Sequence, residues 1–142
     1  MSTITTTFES IDEAREFFSR DRFATENGVS LELLEADRAV ACLVIGPRHR
    51  NAIGGVMGGA IFTLADFAFA ALTNGPNRFA VAQQVSINYL SPPKGSRLTA
   101  TATYRKDGRN SCVVNVNVVD ETGRDVAQFI GTGFKLQRAP NP

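Results

Sequence analysis

The sequence predicts an α+β fold in which an antiparallel sheet wraps around one long central helix. Three observations predict it. The stretch from Gly58 to about Thr73 is small or apolar at almost every position, two β-rich runs precede it, and everything after it reads as strand without another helix. At 142 residues the chain has the usual size of one domain, so residues 1–142 are taken as a single unit, with an N-terminal helical segment over 1–28 and a tail over 137–142.

The elements follow in order. Ser10 and Glu13 have capping-box spacing, and Ile11, Ala14, Phe17 and Phe18 recur at helical intervals, which predicts a short amphipathic helix over 11–20. Residues 29–35 and 38–45 are β-rich runs joined only by Ala36-Asp37, the length of a tight hairpin, and Gly46-Pro47 closes the second run. Residues 48–57 form a loop. The run from Gly58 is apolar all round, the mark of a buried helix, and Asn74-Gly75-Pro76-Asn77 stops it.

Residues 79–90 alternate, with Val81, Val85, Ile87 and Tyr89 on one side and Gln84, Ser86 and Asn88 on the other. Ser91-Pro92-Pro93-Lys94-Gly95 predicts a turn into a strand over 97–105, Lys106-Asp107-Gly108-Arg109 a second turn, and strands follow over 111–120 and 124–136. The four runs are expected to form a meander. Gly131 and Gly133 fall on one face of the last strand, where the central helix can approach closely. The tail from Arg138 to Pro142 is expected to be disordered.

A net charge of +1 with 20% charged residues gives no field that recruits nucleic acid or an anionic membrane, so a small discrete ligand is the expectation. Cys42 and Cys112 lie in apolar or β-like runs and read as buried thiols in a reducing compartment. The first ten residues lack the basic-then-apolar pattern of a secretion signal, which points to the cytoplasm. The apolar stretch around 60–72 is interrupted by Thr63 and Asp66 and falls short of the roughly 20 residues of a membrane span.

Asp66 needs explaining, because it sits among Leu64, Ala65, Phe67, Ala68 and Phe69, where an ionised carboxylate is costly. The bland alternative is a polar patch on an imperfectly buried helix. Burial would raise its pKa, which suits a general base near neutral pH. The junction Gly54-Gly55-Val56-Met57-Gly58-Gly59 precedes it, and the unpaired N–H groups of a helix start can hold an oxyanion, with glycine letting a substrate carbonyl come close. Gly58 and Asp66 are about 12 Å apart along one helix, so they cannot flank one carbonyl within a single chain. An antiparallel second copy across a two-fold axis would bring them together.

The run Asn51-AIGGVM-Gly58-Gly59-AIFT-Leu64-Ala65-Asp66, followed by INYLSP at 87–92, resembles the acyl-CoA thioesterases of the hotdog fold, in their phenylacetate-degradation (PaaI-like) branch. The resemblance implies hydrolysis of an acyl- or aroyl-CoA thioester, with Asp66 as catalytic carboxylate, Gly58 as backbone oxyanion donor and Asn51 as an active-site amide. It implies coenzyme A only as part of the substrate, with no separate cofactor, and a homodimer or dimer of dimers (a homotetramer) with the site at the subunit interface. Met57 stands where the family has His before the paired glycines, and Ala82, counted back from Ser91-Pro92, where it often has Ser or Thr; Gln83 or Gln84 would compensate after a one-residue shift. The substrate-binding candidates are thus Met57, Gly59, Ala82 and Gln83, with Arg50, Lys106 and Arg109 for the coenzyme A phosphates.

A non-catalytic acyl-CoA-binding module is the competing expectation, and the missing His favours it. His49, flanked by Arg48 and Arg50, is the lone histidine; one His and two separated Cys make no zinc site, and no Ser has a nucleophile-elbow context.

Overall fold

Helix, strand and turn follow the local chemistry closely in a computed structural model that describes residues 8–140. Helix α1 (Ile11–Phe18) begins where the Ser10 hydroxyl accepts from the Glu13 N–H at 3.1 Å. It is followed by α2 (Arg22–Glu26), a five-residue helix that the sequence reading did not separate, being too short to show a period. Strands β1 (Val29–Leu34) and β2 (Arg38–Val44) form the expected antiparallel hairpin, and a short 3-10 turn at Pro47–His49 leads into the loop.

Helix α3 (Gly58–Thr73) is the predicted central helix, and it packs against all six strands of one antiparallel sheet. The sheet faces it with small residues: Ala39 and Ala41 of β2 pair with Ala102 and Ala100 of β4 (Arg97–Asp107), and all four are fully buried. On β6 (Asp125–Leu136) the two glycines do what their shared face predicts. A Cβ at Gly131 would sit 3.0 Å from Phe69 of α3, and one at Gly133 would sit 3.2 Å from the same ring. Overpacking of this kind costs about 1–3 kcal/mol, so the glycines are a condition for seating the helix. Phe67 of α3 meets Phe18 of α1 with ring centroids 6.1 Å apart, which closes the core on the β1 side.

The strand order β1-β2-β4-β5-β6-β3 corrects the expected meander. Only β4, β5 (Ser111–Asp120) and β6 form one; β3 (Phe79–Tyr89) lies at the far edge beside β6, away from β4. Ser91–Gly95 is therefore a crossover and not a hairpin turn. Two prolines remove N–H donors and hold the segment extended, and the carboxylates at the β5–β6 turn catch the rest. Asp120, 3% exposed, accepts from the Lys94 and Gly95 N–H groups at 2.7 and 3.1 Å, and Glu121 accepts from those of Ser96 and Arg97. The Thr122 hydroxyl and these backbone donors hold the Asp120 carboxyl well below the usual carboxylate range.

A bulge at Gln83 makes a second correction. Ala82 pairs with Gly133, Gln84 with Thr132 and Val85 with Gly131, so the extra residue switches faces. Val81, paired with Phe134 and 40% exposed, consequently lies on the outer face, not on that of Val85, Ile87 and Tyr89. Strand β4 also runs on to Asp107, which puts Lys106 in the strand opposite Val113 instead of in the turn. Cys42 and Cys112 are free and buried, as expected. No helix among the described residues is long and apolar enough to cross a membrane. Arg138–Pro140 lies outside any helix or strand; residues 141–142 of the tail, and 1–7 of the segment read for a secretion signal, are outside the described residues.

Candidate active site

The start of α3 is built from residues that leave donors free. Met57 is the cap residue, in extended conformation (φ −65°, ψ 133°), and its side chain makes no capping hydrogen bond. Its carbonyl accepts from the N–H groups of Ala60 at 3.0 Å and Ile61 at 3.4 Å. The N–H groups of Gly58 and Gly59 have no partner among the described residues. An unpaired pair of amides at the positive end of a helix dipole is suited to a negatively charged oxygen.

A cleft of about 420 Å³ opens at this end, lined by Met57, Gly59, Phe62, Thr63 and Tyr89 on one side and by Phe23 of α2 among the residues opposite. Tyr89 closes β3 onto the helix start: its hydroxyl donates to the Gly58 carbonyl at 3.0 Å, and a Cβ at Gly58 would come within 3.1 Å of its ring. The loop before the helix is organised by Asn51, whose side-chain oxygen accepts from the Ile53 and Gly55 N–H groups at 3.1 and 3.0 Å. Arg50 donates to the Gly54 carbonyl at 3.0 Å and serves the same loop.

His49 is pinned as well as buried. Its Nδ1 accepts from the Gly46 N–H at 2.9 Å, and its Nε2 lies 2.6 Å from the Asn27 carbonyl, which can only accept. The two bonds require the neutral tautomer with the proton on Nε2, so the ring acts as a latch between the loop and α2.

Asp66 lies two turns beyond Gly59, and at 3.6 residues per turn Gly59, Thr63 and Asp66 form one stripe along α3. Thr63 turns its hydroxyl back to the Gly59 carbonyl at 2.7 Å. The Asp66 carboxylate, half-buried, makes no hydrogen bond or ion pair with the described residues. Burial pushes its pKa up, and the negative charge of Asp21 at the start of α2 adds to the shift.

The structure thus brings Met57, Gly58 and Gly59 to one cleft, with Asn51 and Arg50 in the loop before it and Asp66 further along the same helix face. The other candidates lie apart. Ala82 is on the helix-facing side of β3 near its exposed end, and Gln83 is the bulge residue beside it. Lys106 and Arg109 are at the opposite end of α3, where Arg109 lines a separate cavity of about 330 Å³ with Arg78 and Tyr104. The sequence points to Tyr89 only as one of the aromatic residues that set the depth of the acyl pocket and does not point to Asp21, since nothing local in a strand end or a five-residue helix signals a contact with α3.

A six-stranded antiparallel sheet curled around one buried helix, with a cleft at the helix start, is the hotdog fold. Comparison with known proteins then supplies the class. Residues 53–127 match the model of the thioesterase superfamily. The acyl-coenzyme A thioesterase PaaI of Escherichia coli is 30% identical over 87% of this chain and 89% of its own. The solved structure of the E. coli PaaI protein superposes with a TM-score of 0.81 at 28% identity, covering 88% of this chain and 91% of that one. A hypothetical thioesterase with coenzyme A from Streptococcus pneumoniae gives a TM-score of 0.77 at 26% identity, over 86% and 99% of the two chains. This chain belongs to the thioesterase superfamily, and it is a thioester hydrolase of that fold.

Proposed function

We propose that this protein hydrolyses the thioester of an acyl- or aroyl-coenzyme A to the free acid and coenzyme A, at a site shared between two copies of the chain. The observation that carries the reading is the half-buried, unpartnered Asp66 on the same helix face as the free N–H groups of Gly58 and Gly59. A carboxylate and an oxyanion donor on one stripe, about 10 Å apart along the axis, are too far apart for one carbonyl but suited to an antiparallel pair of helices. The outer edge of β3 beyond Ala80, which has no strand beside it among the described residues, supports such a pairing. Strand β3 is eleven residues long and among the described residues pairs with β6 alone, whereas the other edge, β1, is six residues long and its Leu31 carbonyl is covered by Arg15.

In this mechanism the substrate carbonyl oxygen accepts from Gly58 N–H, and Asp66 of the facing copy takes a proton from water as the water oxygen bonds to the carbonyl carbon. The C–S bond then breaks, and the coenzyme A thiolate leaves and recovers that proton. In the second route Asp66 attacks the carbonyl carbon directly, the C–S bond breaks as the thiolate leaves, and water cleaves the resulting anhydride at its Asp66 carbonyl. A single turnover in ¹⁸O-labelled water separates the two, because only the second leaves label in the Asp66 carboxylate. Asn51 keeps its side-chain NH₂ free toward the thioester or the water while its oxygen holds the loop. Met57, Gly59, Ala82 and Gln83 contact the acyl and thioester portion, and Arg50, Lys106 and Arg109 the phosphates, the last two reaching a neighbouring copy in a dimer of dimers. The coenzyme is substrate, and no further cofactor takes part. Two free buried thiols fit a cytoplasmic setting.

The test is an acyl-CoA panel followed by release of free thiol, with Asp66→Asn beside the wild type. Thiol release that disappears in the variant while the dimer persists supports the assignment. Binding without release in the wild type favours the non-catalytic module, which Met57 in place of a polar residue recommends, and full activity in the variant removes Asp66 from the mechanism.

A further inference from the structure

The first peptide group of α3 is held from outside the helix. The C=O of Gly58 and the N–H of Gly59 belong to one planar trans unit and point in opposite directions, so whatever orients the oxygen orients the N–H. Tyr89 does this: its hydroxyl donates to the Gly58 oxygen at 3.0 Å, and its ring rests where a Cβ at Gly58 would be, 3.1 Å from the ring carbon bearing the hydroxyl. Gly59 and Tyr89 both line the cleft, and the Gly59 N–H is unpaired. A hydrogen bond to the oxygen of a peptide also polarises its N–H, making it a better donor.

We infer that Tyr89 is a positioning residue, acting through the Gly58–Gly59 peptide to aim and strengthen the Gly59 N–H as a second oxyanion donor beside that of Gly58. The inference rests on the thioesterase reading of the same site. It accounts for a feature that reading leaves unexplained, a tyrosine rather than phenylalanine at a half-exposed strand end, 51% exposed, and gives the glycine at the first helical position a second reason beside the approach of a substrate carbonyl. The ring makes the glycine necessary, and the glycine admits the hydroxyl to the carbonyl. Because Tyr89 ends β3, the same contact links the edge strand to the helix start.

Tyr89→Phe keeps the ring and removes only the hydroxyl. Two readouts are taken on the full chain: steady-state hydrolysis of an acyl-CoA, and the amide ¹H–¹⁵N signal of Gly59. The expected result is a fall in kcat of about fivefold, the net worth of one neutral hydrogen bond, with KM within about twofold and the Gly59 amide displaced toward weaker polarisation. A ring that merely packs would leave kcat and that amide where they are, and either result overturns the inference. A wild type that releases no thiol overturns the thioesterase reading instead. In that event a displaced Gly59 amide in Tyr89→Phe still supports the positioning contact, and an unmoved one removes it.

Discussion

The two ends of α3 are finished in opposite ways. At the C-terminal end, where a helix leaves its last carbonyls unpaired, several side chains reach the carbonyls of the last turns. The Leu72 oxygen accepts from Tyr104 at 3.1 Å and from Arg78 at 3.1 Å, the Phe69 oxygen from the Thr73 hydroxyl, and the Ala70 oxygen from both the backbone and the side chain of Asn74. One buried group there, Arg78 Nε, lacks a partner. At the N-terminal end two amides have no partner among the described residues, the cap residue is a half-exposed methionine, and the Tyr89 hydroxyl engages the carbonyl side of the first peptide. Under the proposed function, the end with the open amides is the one that takes the substrate carbonyl.

That contrast is broken or sharpened by substitutions with effects of very different size. Asp66→Asn is expected to lower kcat by about a thousandfold or more, measured as thiol release. It should not destabilise the fold. Burial raises the folded-state pKa of Asp66, so its contribution to stability is full below its unfolded pKa and is lost as pH rises through the raised value; at neutral pH the neutral amide relieves that cost, and thermal melts should show an equal or higher Tm. Gly58→Pro removes one N–H at the helical position that best tolerates proline, after a residue already in extended conformation, and its Cβ also displaces the Tyr89 ring, so the two together should cost at least about a hundredfold in kcat with the helix retained by circular dichroism.

At the closed end the currency changes from turnover to stability. Tyr104→Phe takes a hydroxyl, whose pKa burial pushes up to about 12, away from the Leu72 carbonyl, and denaturant titration should show a loss of about 1 kcal/mol with kcat unchanged. The smallest effect is expected of Asp21→Asn. Its negative charge adds to the raised pKa of Asp66, so its removal should move the acid limb of the kcat/KM profile to lower pH without changing the plateau.

Much of the centre of this molecule was legible from local chemistry. The bounds of α3 follow from a small and apolar run, charged only at Asp66, opened by Gly58-Gly59 and stopped at Asn74-Gly75-Pro76, and the Gly131–Gly133 face was readable as a berth for it. The place of β3 was not, because alternation reports which faces are polar and says nothing about which neighbour a strand takes. That choice depends on Asp120 and Glu121, some 25 residues downstream, catching the crossover. The bulge at Gln83 hid the faces of Val81 and Ala82 for a related reason: one inserted residue inverts a period-two pattern. Asp66 and the paired glycines stood out by residue type, and Tyr89 as an aromatic able to shape the pocket, whereas its hydroxyl contact with Gly58 became visible only when the end of one element met the start of another.

The central claim is that the carboxylate of one copy serves the oxyanion donors of another, and subunit mixing tests it most directly. Asp66→Asn and Gly58→Pro chains, each inactive alone, are unfolded, mixed in equal amounts and refolded together. A shared site predicts that mixed dimers carry one intact site each, restoring about a quarter of wild-type turnover. No recovery from a mixture shown to contain mixed dimers would mean that each chain works with its own helix, and would contradict the account.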